Sequence, residues 1–199
     1  MDSFIGVSPL SGSGNGTLAV SGSVHTGRAN RTGTFNVTGS GIASPITVNV
    51  TQTGKAEFVS FDNVTVSVSK DGETITITGK SNSKNLVFSL ITTDGILTLP
   101  ANYTAAGVST VNGADITDDP GSSAEYAFSI SFTIAANATI SDLTDTLKVT
   151  ANGGQTAQCV VTQTAGDPTL SLSATSITLA ADGTAQNITV TSNTSWTVS

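Results

Sequence analysis

A chain of 199 residues with a net charge of −7 and only seven lysines and arginines has no basic footprint with which to displace counterions from a nucleic acid. Charged residues make up 11% and aromatic residues 5%, and no apolar run approaches the roughly 18 residues of a spanning helix, which excludes long amphipathic helices and transmembrane helices as building material. Ser, Thr, Gly, Val and Ala dominate, β-branched side chains suit a pleated, half-buried surface, and the composition predicts an all-β chain of small antiparallel immunoglobulin-like sandwiches, each about 100 residues.

The first residues, Met1-Asp2-Ser3-Phe4-Ile5-Gly6-Val7, have neither a basic n-region nor a continuous apolar h-region. No signal peptide is expected here, and the protein is expected to remain in the cytosol where it is made. Strands are predicted over residues 4–8, 17–21, 32–38 and 45–52, separated by Gly-rich links such as Ser11-Gly12-Ser13-Gly14-Asn15-Gly16. Four such strands make a minimal sandwich with open edges that something has to cover.

A fuller set follows, over residues 56–59, 63–69, 74–79, 85–91, 123–135, 145–150 and 158–164. In Thr74-Ile75-Thr76-Ile77-Thr78 the alternation puts the isoleucines inward, and Lys70-Asp71-Gly72-Glu73 reads as a hairpin turn. Residues 93–122 read as a long loop insertion. The single cysteine, Cys159, has no partner for an internal disulfide and reads as a small apolar strand residue. Residues 169–199 begin another unit and supply about three strands, too few to close a sandwich. Either the natural protein is longer or these strands complete another subunit by strand addition.

The chain also repeats itself. Val50-Thr51-Gln52-Thr53-Gly54 returns as Val161-Thr162-Gln163-Thr164-Ala165-Gly166, an offset of 111 residues from Val50 to Val161. Asp71-Gly72 followed by Ile75-Thr76-Ile77-Thr78 returns as Asp182-Gly183 followed by Ile188-Thr189-Val190-Thr191, an offset of 113 from Ile75 to Ile188. The Val-Thr-Gln-Thr runs read as last strands, each followed by a turn-prone stretch, and Pro168 suits a linker. Three units are therefore expected: residues 1–54 as a compact module, 55–166 as a module with a long insertion, and 167–199 as an incomplete one.

Leu170-Ser171-Leu172-Ser173-Ala174-Thr175-Ser176-Ile177-Thr178-Leu179, continued by Ile188-Thr189-Val190-Thr191-Ser192-Asn193-Thr194-Ser195-Trp196-Thr197-Val198-Ser199, closely resembles the opening half of BACON domains. These are immunoglobulin-like modules common in Bacteroidetes proteins and in the phages that infect them. The family's closing Val-Thr-Gln is matched at Val50-Thr51-Gln52 and Val161-Thr162-Gln163. Gly27-Arg28-Ala29-Asn30-Arg31-Thr32-Gly33-Thr34 is similar to compact Ig-like repeats of structural proteins in such phages. The departure is that no complete copy carrying the Trp is present, because Leu86-Val87-Phe88 stands where the Trp strand is expected in the second unit. The resemblance implies a virion structural protein, a head fibre or capsid decoration, whose partners are capsid or other virion proteins and further copies of itself. It also implies a second reading, contact with host or mucus glycans, as in a secreted or surface carbohydrate-binding module.

Catalytic constellations are missing. The one histidine, His25, lies in a Gly/Ser-rich stretch with Arg28 and Arg31 nearby and no local carboxylate to orient it, so it reads as a loop residue. Ser11-Gly12-Ser13-Gly14-Asn15-Gly16 has no Lys-Ser/Thr ending of a phosphate loop. Asp115, Asp118 and Asp119 offer hard oxygen ligands but match no calcium-loop spacing, and they read as a solvated acidic loop. Few aromatics are available to line a sugar cleft for a hydrolytic carboxylate pair. No cofactor and no enzyme activity are expected. Three residues are candidate glycan or partner contacts: Trp196, which either stacks on a sugar or fills the core of its own unit, and Arg28 and Arg31, which either pair with acidic groups of a partner or sit in an exposed loop.

Overall fold

The computed structural model describes residues 1–199 and is built almost entirely of strands. In residues 1–54, β1 (Ile5–Ser8) pairs antiparallel with β2 (Ala19–Gly22), and β3 (Arg31–Val37) with β4 (Ile46–Gln52). Each hairpin is a separate two-stranded sheet. Two layers of two strands enclose little: Ile5 and Phe35 are the buried large apolar side chains here, while Leu10, Val24, Ile42 and Ile46 face solvent.

The sandwich proper follows. Its strands are β5 (Val59–Phe61), β6 (Thr65–Val68), β7 (Glu73–Ser81), β8 (Leu86–Thr92), β9 (Asn102–Ala105), β10 (Val108–Val111), β11 (Tyr126–Ile134), β12 (Leu143–Ala151) and β13 (Thr156–Gln163), with a single helical turn, α1 (Pro120–Ser123), before β11. One sheet has the order β10-β9-β11-β7-β5 and the other β6-β13-β12-β8. That is the immunoglobulin arrangement, first, second and fifth strands with the fourth in one layer and third, sixth and seventh in the other. An early strand crosses to the second layer, where β6 runs parallel to β13.

Period-2 patterning explains the layering. Ile75 and Ile77 of β7 lie opposite Phe132 and Ile130 of β11 on the inner face, and Leu147, Val149, Cys159 and Val161 supply the facing layer. Phe128 touches Phe61 and Phe88 edge-on, with centroids 5.7 and 5.6 Å apart, and Phe88 meets Tyr103 at 4.8 Å. A cluster of 21 buried residues results. Each large apolar side chain buried this way contributes about 1.5–3 kcal/mol. On the outer face Thr76 and Ser131 share a hydroxyl hydrogen bond, so the polar half of the alternation is paired across strands.

The expected loop over residues 93–122 is not a loop throughout. It contains β9, β10 and α1, and it sends Leu97, Tyr103, Ala105 and Ile116 into the core. Its start is fixed by Asp145, which is fully buried on β12. One Asp145 carboxylate oxygen accepts backbone N–H bonds from Thr93, Asp94 and Gly95, and the other accepts one from Leu97, at 2.8–3.1 Å. Burial works to raise this carboxyl, but the four backbone donors outweigh it and hold its pKa below the ordinary value.

Beyond residue 167 the chain forms one short hairpin, β14 (Leu170–Leu172) with β15 (Val190–Ser192). No third strand forms, and no second sheet lies opposite this one. Trp196 is therefore 51% exposed instead of filling a core.

Candidate functional site

The sandwich receives the chain at one end and releases it at the other. β5 begins beside the end of β7, since Val59 pairs with Ser81, whereas β13 ends beside the start of β12, since Gln163 pairs with Leu143. Both ends are closed by the same device, a Ser-Asn pair that follows a Thr-rich strand.

At the first joint, Ser81 and Asn82 are fully buried. The Ser81 hydroxyl donates to the Phe58 carbonyl at 2.7 Å, and Asn82 Oδ1 accepts the Phe58 N–H at 2.9 Å. Asn82 Nδ2 then reaches the carbonyls of Thr26 at 3.2 Å and Ala56 at 3.3 Å. One side chain thereby ties the preceding unit, the linker and the sandwich. At the second joint, the Ser192 hydroxyl donates to Thr169 O at 2.7 Å and Asn193 Oδ1 accepts Thr169 N–H at 2.8 Å. Asn193 Nδ2 donates to Ala138 O at 3.0 Å and Asp167 O at 2.9 Å. Each partner at the second joint lies 111 or 112 residues after its counterpart at the first. The Ser-Asn of the resemblance motif is thus a hinge-locking element.

The turn that each Asn grips is also repeated. Asn137 Nδ2 donates to Ser141 O at 2.8 Å, and His25 Nε2 does the same to Ala29 O at 2.7 Å. Asp142 Oδ1 accepts Ala165 N–H at 2.8 Å, and Asn30 Oδ1 accepts Gly54 N–H at 3.0 Å. Packing is close enough to demand glycine at both linkers. A Cβ on Gly54 would lie 2.0 Å from Arg28 O, and one on Gly166 would lie 2.1 Å from Asn137 O. His25, read from sequence as an idle loop residue, is therefore a turn-bracing residue.

The two arginines are not free. Arg28 donates to the Asn82 carbonyl at 2.9 Å and pairs with Asp119, a hydrogen bond that holds the guanidinium pKa above its ordinary value. Its backbone N–H and that of Ala29 bond Gly121 O and Ser122 O at 2.9 and 3.0 Å, strapping α1 to the preceding unit. Arg31 stays within its own unit. It donates to Gln52 Oε1 at 2.9 Å and Ser23 O at 2.7 Å, and it stacks on Phe4 at 4.4 Å. Of the two readings of Arg28 and Arg31, partner contact or exposed loop, the second is corrected: both are half-buried and bonded within the chain, and Arg31 lies on β3. Of the acidic trio, Asp119 faces Arg28 and Asp115 faces Lys84 and Asn85, so the three carboxylates do not converge. No three His, Cys, Asp or Glu side chains come together as a metal-holding group. Trp196 stands apart from both arginines in sequence and lies beyond the opposite joint. No helix is long and apolar enough to cross a membrane.

No family model matches the chain, and no curated protein matches it. Among solved structures it is similar to a Bacteroides ovatus GH5 xyloglucanase in complex with a XXXG heptasaccharide, at 15% identity over 55% of this chain and 19% of that one, with a TM-score of 0.35. It is also similar to a Bacteroides thetaiotaomicron protein solved by NMR, at 16% identity over 56% of this chain and 91% of that one, with a TM-score of 0.27. The chain thus spans about a fifth of the xyloglucanase.

Proposed function

We propose that this chain is a structural protein of a virion, a head fibre or capsid decoration of a phage that infects Bacteroidetes, and that it acts by shape and placement instead of by reaction. The observation that carries the reading is the repeated Ser-Asn joint at both ends of the sandwich. A module tied to both neighbours by side-chain hydrogen bonds, part-buried at the first junction and exposed at the second, is suited to act as a spacer that holds a distal part at a set distance. The two thin hairpins of residues 1–54, with open edges, would dock on capsid proteins, and several copies would add avidity to weak distal contacts. The test is a mass-spectrometric inventory of purified particles with antibody labelling in electron micrographs. Stoichiometric presence on the particle surface is expected, and absence from purified virions overturns the reading.

One observation favours a second reading, glycan contact: Trp196 is half-exposed and its ring can stack on a sugar. Glycan-array binding that disappears in Trp196→Ala would support it, and an array with no binding would remove it.

A further inference from the structure

We propose that the Asn152-Gly153 pair at the tip of the β12–β13 hairpin modifies itself, the Asn152 side chain closing onto the Gly153 nitrogen and then opening to a carboxylate, and that this conversion loosens the first joint. Such a change goes beyond the role above and is independent of the particle the chain belongs to.

A glycine that follows an asparagine leaves the asparagine open to its own backbone. With no side chain on the following residue, the glycine nitrogen can reach the side-chain carbonyl carbon. The Gly153 nitrogen attacks Asn152 Cγ and forms the N–C bond of a cyclic imide. The side-chain nitrogen leaves as ammonia, carrying the proton given up by the Gly153 N–H. Water then opens the imide at either carbonyl, giving aspartate or a β-linked isoaspartate. In sum water enters, ammonia departs, and nothing is oxidised or reduced.

The chain has three Asn-Gly pairs, beginning at Asn15, Asn112 and Asn152, and the fold treats them differently. Asn112 is held shut. Its Oδ1 accepts the Phe88 N–H at 2.7 Å and its Nδ2 donates to Phe88 O at 2.9 Å, so the amide stands in for the peptide group of an extra strand beside β8. The attacking nitrogen is tied as well, since the Gly113 N–H bonds Leu86 O at 3.0 Å. Reaction at Asn112 first has to break this edge open, which costs a local unfolding. Asn152 and Gly153 are instead the exposed central residues of a turn closed by the Gly154 N–H on Ala151 O at 2.9 Å. The Gly153 N–H has no acceptor in the chain. The one side-chain contact of Asn152 comes from Asn85 Nδ2 at 3.4 Å, longer than an ordinary hydrogen bond. Asn15 is likewise exposed, in the Gly-rich link after β1.

The position of the turn gives the conversion a consequence. Gly153 lies against Glu57 of the linker, where a Cβ would be 2.5 Å from Glu57 Oε2. Glu57 stands between Ala56, whose carbonyl Asn82 holds, and Phe58, whose N–H bonds Asn82 Oδ1. Conversion adds a carboxylate one residue from the Gly153–Glu57 contact, and like charges repel. Isoaspartate also adds a methylene to the backbone just after the Asn152 N–H, which is bonded to Ser83 Oγ at 2.9 Å. The hairpin tip is thereby driven off the linker beside the Asn82 grip.

The full chain, native or in urea, is held in mildly alkaline buffer and mapped by mass spectrometry at intervals, with isoaspartate methyltransferase labelling the β-linked product. In the native chain Asn152 and Asn15 should convert at least about tenfold faster than Asn112, and in urea the three rates should converge. Small-angle scattering of the aged native chain should show a broader range of end-to-end distances. N152Q, whose longer side chain disfavours the imide, should age without that broadening. A native Asn152 that stays intact while it converts in urea overturns the proposal, as does an Asn112 that converts at the rate of Asn152. Aged wild type that scatters like aged N152Q refutes the link to the first joint.

Discussion

Replacing Asn82 by alanine tests the joint where its side chain is most deeply buried. The substitution leaves the Phe58 N–H, bonded at 2.9 Å, without an acceptor inside the protein. It also takes the donor from the carbonyls of Thr26 and Ala56. An orphaned buried N–H costs about 1–3 kcal/mol, whereas the carbonyls sit at a linker that water can reach once it opens, at about 1 kcal/mol. The Phe58 bond belongs to the sandwich and the Thr26 bond to the junction, so two readouts separate them. Urea unfolding should lose about 1–3 kcal/mol with an unchanged m-value. Small-angle scattering should show a broader range of end-to-end distances, and protease should begin to cut between residues 53 and 57. Asn193→Ala is the matched comparison at the second joint: it should broaden the distances equally while leaving the sandwich's unfolding within about 0.5 kcal/mol of wild type. If Asn82→Ala alters neither stability nor scattering, the buried amide is not what ties the preceding unit to the sandwich.

Asp145→Asn should destabilise by about 2–4 kcal/mol, because the amide can replace one carboxylate oxygen but turns an N–H toward the Leu97 donor. The folded carboxyl titrates below its ordinary value of 3.8, so its stabilisation is complete above that pH and is lost as pH falls through the lower folded value. The wild-type stability curve should therefore drop on the acid side, and that of Asp145→Asn should be flatter there by urea titration at stepped pH. Phe128→Ala, at the centre of the aromatic cluster, should cost about 3–5 kcal/mol by the same assay. The Cys159 thiol is fully buried and burial raises its pKa, so alkylation of the native protein should be at least about 100-fold slower than in urea; a fast native reaction would contradict the core assignment.

Much of the architecture was legible because strand patterning is local. Ile75 and Ile77 alternate with threonines, and Val-Thr-Gln-Thr marks the end of β4 and of β13 alike. β9 and β10 were missed since their four-residue strands are too short to show a period, and Tyr103 was the one large apolar signal in β9. The joints were half visible. The Ser-Asn of the resemblance motif is visible in the sequence but its role is not, because Asn82 meets Thr26, 56 residues away in sequence, only after folding. Asp145 stands at the head of the strand expected over residues 145–150, with no local signal of burial. Its burial depends on a loop that folds back over it, which no periodicity encodes. Arg28 read as a loop cation for a similar reason, with Asp119 lying 91 positions downstream.

The parallel pairing of β6 with β13 has a mechanical consequence. The chain enters the sandwich at one end and leaves at the other, so tension applied through the two termini pulls β13 lengthwise past β6. The Val160–Gln163 ladder is then loaded in shear, and its bonds must yield together instead of peeling one at a time. A chain pulled by its two ends would stretch little until a threshold force is reached.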